Sequence, residues 1–298
     1  MLYFVPLGYL SYNNALISWT IFNLLFVIGC IYLLYISYFK TYKLNGLILV
    51  ATLFFSFSPV KTTIFCSQTN FIVLYLLLLM KKYSNTGYAG IFLSLAMFTK
   101  LYMIIFLLVF IITKNWNAVI YFILSVLSLV GLTIAIFGAD PVISYVFNNP
   151  LRRIPQSLFF EGINQSLHSV LLRSKLISIN EPMVYLYIVG GVLFVTGVYL
   201  FFLLKKKLYG FIWAILLLVG LLIYPATLSH YSVVLLFIVF QFFDKKTPLG
   251  FSSYLNIPII GILYFLCWIS VFSAICFLLG LLIIKSIKPS LFYKFSFY

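Results

Sequence analysis

Residues 117–138, NAVIYFILSVLSLVGLTIAIFG, decide the fold class. The stretch carries no charge and is as long as the roughly 20 apolar residues that a helix needs to cross a bilayer. Moving outward, comparable runs lie at 15–39, 183–204 and 208–224, and shorter ones at 46–58, 68–80, 86–99, 101–113 and 230–243. The stretch 254–284 is too long for one ordinary span and is either one tilted helix or two short passes parted near Ser270 and Ser273. With 64% hydrophobic and only 8% charged residues, the chain lies far from the roughly quarter-charged composition of soluble domains, which excludes a soluble protein. The expectation is an all-α membrane protein, a polytopic transmembrane helix bundle of about 9–11 helices forming one multi-spanning domain over 1–298, with 139–182 a long extracytoplasmic loop.

The charges orient the bundle. Lys+Arg number 19 against 4 Asp+Glu, a formal +15, yet the basic residues are scattered between apolar runs and make no single solvated face, so nucleic acid is not a partner. Short loops on the cytoplasmic side collect Lys and Arg. If the first run ends inside, alternation places Lys40, Lys43, Lys81, Lys82, Lys114, Lys205, Lys206, Lys207, Lys245 and Lys246 inside. The outer face then holds Lys61, Lys100, Arg152, Arg153, Arg173 and Lys175, together with Asp140, Glu161 and Glu181. A tail carrying Lys285, Lys288 and Lys294 prefers the inside, which favours two passes for 254–284.

Met1–Leu10 lacks the basic start and cleavage site of a secretory signal and reads either as the second half of a membrane helix or as a short interfacial helix. Cys30, Cys66, Cys267 and Cys276 show no metal or redox spacing and read as packing residues. The sequence carries no phosphate loop, zinc motif or serine-nucleophile elbow, so no metal is expected.

Polar groups in or beside a membrane are costly unless satisfied, and each is therefore a candidate for function. Under the alternation above, Lys61 through Asn70, Phe98-Thr99-Lys100, Asn164 through His168, and Pro225 through Tyr231 all fall on the outer face. Gln68 and Asn70 open a helix, whose free N–H groups favour an anion; capping of the same helix is the plainer alternative. His230 also begins a helix, after Pro225, and can hold a phosphate oxygen or move a proton. Lys100 ends its run either to neutralise a phosphate or to snorkel. Arg152 and Arg153 suit a bidentate phosphate clamp or lipid headgroups. Asp140-Pro141 and Glu181-Pro182 read as helix starts, which leaves Glu161 as the acid without a capping task. Asn164, Gln165 and Ser166 form a compact polar group suited to sugar hydroxyls, or an ordinary turn, while His168 and Lys61 read as solvated.

The order of these motifs resembles a known family. Cys66-Ser67-Gln68-Thr69-Asn70 before a leucine-rich helix, then Ala89-Gly90, Leu95-Ala96 and Lys100, the later Asn164-Gln165-Ser166, and finally Pro225 with His230 are similar to glycosyltransferase family 87, over roughly 3–243. Three positions depart from the family's pattern: Ser67 stands for a glycine, Leu101 for the proline after the lysine, and Tyr231 for a second histidine. Tyr3-Phe4-Val5-Pro6-Leu7 looks like the region that follows the family's first helix and acidic loop, so that helix and its catalytic Asp are expected to be missing from this chain.

The resemblance implies a GT-C-class hexosyltransferase, mannosyltransferase-like, moving a sugar from a polyprenyl-phosphate donor to a glycan or glycolipid acceptor at the extracytoplasmic face, with no cofactor besides that donor. On this reading Lys100, Arg152, Arg153 and Gln68 hold the donor phosphate, Asn70, Asn164, Gln165 and Ser166 address the sugar or acceptor, and Glu161 and His230 are the candidate bases. A transporter or flippase for a lipid-linked saccharide expects polar groups spread through the mid-membrane and symmetry between halves, neither of which is visible. A catalytically degenerate homologue stays open because of the absent acidic loop. Richness in Phe, Tyr, Ile, Lys and Asn points to an AT-rich genome and a prokaryotic plasma membrane.

Overall fold

The computed structural model describes residues 2–147, 156–178, 182–243 and 253–288. It is a bundle of apolar helices, an all-α membrane protein. Three runs, Tyr12–Ser56, Trp116–Phe137 and Met183–Lys205, are long and apolar enough to cross a membrane, and six shorter apolar helices accompany them. The chain gathers into two compact units. The N-terminal unit is Met1–Ser56 with Val60–Ile154, and the C-terminal unit is Phe57–Pro59 with Pro155–Tyr298.

The N-terminal unit opens with a 3-10 helix, Leu2–Tyr9, followed by α1 (Tyr12–Leu34). The expected single run 15–39 is interrupted: after α1 come a π turn, Tyr35–Phe39, a 3-10 turn, Lys40–Tyr42, and then α2 (Lys43–Ser56). Lys43 takes φ 50°, and a Cβ on Gly46 would lie 2.4 Å from the Phe39 carbonyl oxygen, so only glycine permits this close reversal. After α3 (Ser58–Phe65), α4 (Asn70–Lys82) packs between α1 and α5 (Tyr88–Thr99) and is apolar almost all round, as a helix with neighbours on both sides must be. Beyond Lys100 a 3-10 helix, Leu101–Phe106, leads into α6 (Leu107–Ile112).

The quoted stretch forms α7 (Trp116–Phe137), headed by Asn115, whose side chain accepts the Ala118 N–H at 3.1 Å. α5 crosses α7 in direct backbone contact: a Cβ on Gly90 would stand 1.9 Å from the Ala118 carbonyl oxygen, and the Ser94 and Ser125 hydroxyls meet at 2.5 Å. Small residues at a crossing, with a hydroxyl pair beside them, are how helices associate where lipid removes the hydrophobic drive. α8 (Asp140–Phe147) closes the unit and begins at its acid, as Asp140-Pro141 implies.

In the C-terminal unit, α9 (Gln156–Phe160) and α10 (Leu167–Arg173) precede α11 (Pro182–Lys205), which starts at its proline as expected. Every residue from Phe211 to Leu222 of α12 (Tyr209–Ile223) is buried. A 3-10 helix, Ser229–Leu235, and α13 (Leu236–Gln241) follow, equally buried. The ambiguous stretch resolves into two helices, α14 (Ser253–Ile269) and α15 (Val271–Ile287), parted at Ser270, whose extended backbone (φ −157°, ψ 115°) ends one helix and whose hydroxyl accepts the Ser273 N–H at 3.3 Å to start the next. α15 packs on α12, and its Ser286 shares a 2.7 Å hydrogen bond with Tyr199 of α11.

Candidate functional site

In the N-terminal unit the polar loop between α3 and α4 sits against the body of α1, well past its first turn. Trp19 donates its indole N–H to the Ser67 carbonyl at 2.8 Å, and Cys30 donates to the Phe71 carbonyl at 3.5 Å. The loop turns on Ser67, which adopts φ 49°, a left-handed conformation that glycine enters without cost. That explains on physical grounds why glycine suits this position. Gln68 is half-buried; its backbone N–H reaches the Thr63 carbonyl at 3.1 Å and its side-chain amide donates to Cys66 at 3.4 Å. Thr69 heads α4 without a side-chain cap, so the capping alternative fails for Ser67 and Thr69, and Asn70 is fully buried in the first turn. Lys100 is half-buried in an extended conformation (φ −143°, ψ 112°) between α5 and the next 3-10 helix. Arg152, Arg153 and Glu181 lie outside the described residues.

In the C-terminal unit the expected polar group and the Pro225 loop are bound side by side. The Gln165 N–H donates to the Thr227 carbonyl at 2.7 Å and the Ser229 N–H to the Ile163 carbonyl at 2.9 Å, a single antiparallel bridge between Asn164 and Leu228. Asn164, with 0% exposure, donates its amide to the Pro225 carbonyl at 3.0 Å and accepts the Ser166 N–H at 3.1 Å. The Ser166 hydroxyl donates to the same Pro225 carbonyl at 3.0 Å while accepting the Ser169 N–H at 3.2 Å, which caps α10. Gln165 accepts from the Ser270 hydroxyl at 3.0 Å and the Phe272 N–H at 3.4 Å, and donates to the Gly162 carbonyl. Arg173 reaches back to the carbonyls of Glu161 and Asn164, both at 2.8 Å.

The polar side-chain atoms of Asn164, Gln165 and Ser166 are engaged with the protein, and Asn164 and Ser166 are buried, so in this conformation they fasten loops. Glu161 is exposed, and its carboxylate has no hydrogen bond or ion pair among the described residues. His230 begins the 3-10 helix after the Pro225 loop, as expected, and at 7% exposure it lies edge-on to Tyr231, centroids 4.9 Å apart. Its loop is tightened further by Thr227, whose hydroxyl is placed between the carbonyls of Leu221 at 2.6 Å and Tyr224 at 3.0 Å.

His168, expected in solvent, is half-buried instead: it stacks on Tyr185 (4.1 Å, 20°) and tilts against Phe159 (4.6 Å). Burial holds its pKa below the ordinary 6.5. Tyr185 in turn donates its hydroxyl to the Ile223 carbonyl at 2.7 Å, fixing the end of α12 just before the Pro225 loop. Sequence reasoning missed Arg173, Thr227 and Ser270 as parts of this arrangement. Arg173 was visible only as one more outer charge, and burial lowers even its pKa from the usual guanidinium range. The four cysteines are free, and no cluster of metal-binding side chains occurs among the described residues.

A family model described as glycosyltransferase family 87 matches residues 1–228, from the first 3-10 helix to the Pro225 loop. Searches of curated proteins and of solved structures find no match. The match covers well over half the chain and includes every motif from Ser67 to Pro225, so this membrane protein belongs to glycosyltransferase family 87.

Proposed function

We propose that this membrane glycosyltransferase is a GT-C-class hexosyltransferase that moves a sugar, mannose by analogy with the family, from a polyprenyl-phosphate donor to a glycan or glycolipid acceptor on the extracytoplasmic side of a prokaryotic plasma membrane. The observation that carries the reading lies in the C-terminal unit. The segments bearing Glu161 and His230, the two candidate bases, are fastened to each other by backbone pairing and by the Asn164 and Ser166 side chains on Pro225. A base used in transfer must be held still relative to its surroundings, and such fastening supplies that. Asn164, Gln165 and Ser166 then serve as positioning residues. Lys100, Arg152, Arg153 and Gln68 are assigned to the donor's phosphate, where cations and free helix N–H groups stabilise the leaving charge, and Asn70 to the sugar or acceptor.

The test is reconstitution with a radiolabelled polyprenyl-phosphate hexose and a glycolipid acceptor. Wild type consumes the donor; Lys100→Ala and His230→Ala insert into the membrane normally and lose at least tenfold in turnover. The reading is overturned if wild type leaves the donor untouched while a proven family member consumes it under the same conditions. Unchanged turnover in both variants would remove these residues from the site.

A further inference from the structure

The turn after α4 and the turn before α7 meet at one end of the N-terminal unit. Asn115 joins them: its side-chain amide donates to the Ser84 carbonyl at 2.7 Å and to the Thr86 carbonyl at 3.4 Å, while its oxygen caps α7. The Tyr121 ring lies against Gly87, whose Cβ would stand 2.8 Å from it, so the start of α5 is held to the same place. Lys82, the last residue of α4, and Lys114, next to Asn115, are thereby brought to one end of the unit, and both are exposed. Lys82 places its ammonium 5.5 Å from the centre of the Tyr83 ring. Lys114 is the left-handed residue (φ 57°) of the stop that ends α6. Its own N–H donates to the Ile111 carbonyl at 3.1 Å, and the Asn115 N–H donates to the Phe110 carbonyl at 2.8 Å.

No carboxylate of their own unit stands near these two cations. The only one is Asp140, beyond the far end of α7, which at 22 residues is about 33 Å long. Trp116, the first residue of α7, and Tyr88, the first of α5, are 57% and 59% exposed at the same end. α7 is long and apolar enough to cross a membrane, and exposed Trp and Tyr where such a helix begins mark the level of the lipid headgroups. A soluble acidic chain would meet the lysines and leave both rings bare; an anion fixed at headgroup depth meets all four side chains. We propose that Lys82 and Lys114, with Trp116 and Tyr88, form a binding site for the phosphodiester headgroup of an anionic bilayer phospholipid in the leaflet at this end of the unit. It is separate from the site assigned to the donor, because Asn70 and Lys82 stand at opposite ends of α4, about 18 Å apart along its axis. The inference does not rest on the transfer reaction and is read without turnover.

Nanodiscs of phosphatidylcholine and phosphatidylglycerol in equal parts give the test, with the lipids retained on the released full-length protein identified by native mass spectrometry. Phosphatidylglycerol is expected to be retained over phosphatidylcholine. Lys82→Gln and Lys114→Gln should each weaken its retention about fivefold, which corresponds to roughly 1 kcal/mol for a lysine near an anionic surface. Lys114→Gly guards against a folding artefact: it relieves the left-handed conformation and so melts no earlier than wild type, yet it removes the charge and weakens retention. Lys61→Gln removes the same charge from α3 and should leave retention unchanged. Equal retention of the two lipids overturns the proposal, as does undiminished retention when Lys82 and Lys114 are both replaced. A loss as large in Lys61→Gln overturns it too, because net charge alone would then hold the lipid. Binding of soluble polyglutamate through the same two lysines, with no phosphatidylglycerol retained, would overturn it in favour of an acidic protein.

Discussion

Asn164→Ala puts the fastening in the C-terminal unit to a quantitative test. The substitution removes one buried hydrogen bond outright, from the amide to the Pro225 carbonyl, which keeps only its bond from the Ser166 hydroxyl. It also strips the Ser166 N–H of its acceptor inside a buried turn. A typical buried hydrogen bond contributes about 1 kcal/mol net, and an orphaned buried donor costs a further 1–3 kcal/mol or so, for a total of about 2–4 kcal/mol. At about 1.4 kcal/mol per tenfold, local opening should rise by roughly 30- to 700-fold. Because Asn164 bridges two segments 61 residues apart, the opening must appear in both. Hydrogen exchange followed by mass spectrometry in detergent reads this directly: exchange accelerates at 161–170 and at 224–232 together, while α12 keeps its protection. Faster exchange confined to 161–170, with 224–232 unchanged, would refute the claim that this side chain holds the loop before His230. Gln165→Ala, whose contacts run to Ser270 and Phe272, should leave 224–232 far less affected.

Three further expectations follow from local geometry. Gly90→Ala forces a Cβ to within 1.9 Å of the Ala118 carbonyl, so α5 and α7 must separate; a drop in melting temperature equivalent to several kcal/mol is expected, and a near-neutral result would show that the crossing is not as close as described. Leu101→Pro should fold and melt within a few degrees of wild type, because Lys100 already has the extended backbone that a following proline demands and Leu101 is the first residue of its 3-10 helix; failure to insert or fold would count against that backbone assignment. His168 takes up its proton less readily in the native state, so the stability tied to its neutral form is complete above about 6.5 and declines as pH falls below that value. Thermal melts between pH 7.5 and 5.0 should show a larger loss for wild type than for His168→Phe, and parallel losses would remove His168 as the cause.

The helices were legible wherever lipid is the neighbour, because a lipid-facing stretch such as 117–138 must be apolar throughout and says so without reference to the rest of the chain. Breaks caused by distant partners were harder to read. Ser270 ends α14 with no proline or glycine beside it, and its hydroxyl is shared between the next turn and Gln165, 105 residues earlier. The turn at Lys40–Lys43 was expected only as a loop after residue 39; the π and 3-10 winding before it depends on the fit of Gly46 against Phe39. The candidate site divides in the same way. Pro225, His230 and the Ser67–Asn70 loop were recognisable as places where polar groups gather. The tasks of Asn164 and Ser166 were not, since both are set by the Pro225 carbonyl, whose position is fixed by tertiary contacts. His168 was read as solvated because the aromatic partners that enclose it, Phe159 and Tyr185, come from two other helices.

Lys100 and the Pro225 loop share one local feature: each is followed by a long 3-10 helix, Leu101–Phe106 in one unit and Ser229–Leu235 in the other, that passes into α-helix. A 3-10 winding rises about 2.0 Å per residue with 3.0 residues per turn, against 1.5 Å and 3.6 in the α form, and runs this long are uncommon. Rewinding six residues from one form to the other would shorten the segment by about 3 Å and swing one end against the other by about 120°. Rewinding breaks no covalent bond; each carbonyl exchanges its partner for the next one along, and winding into the α form frees one N–H at the head of the segment. The polar residue at the head of each segment thus rides on a short screw, whose pitch is a degree of freedom separate from the packing of the helices around it.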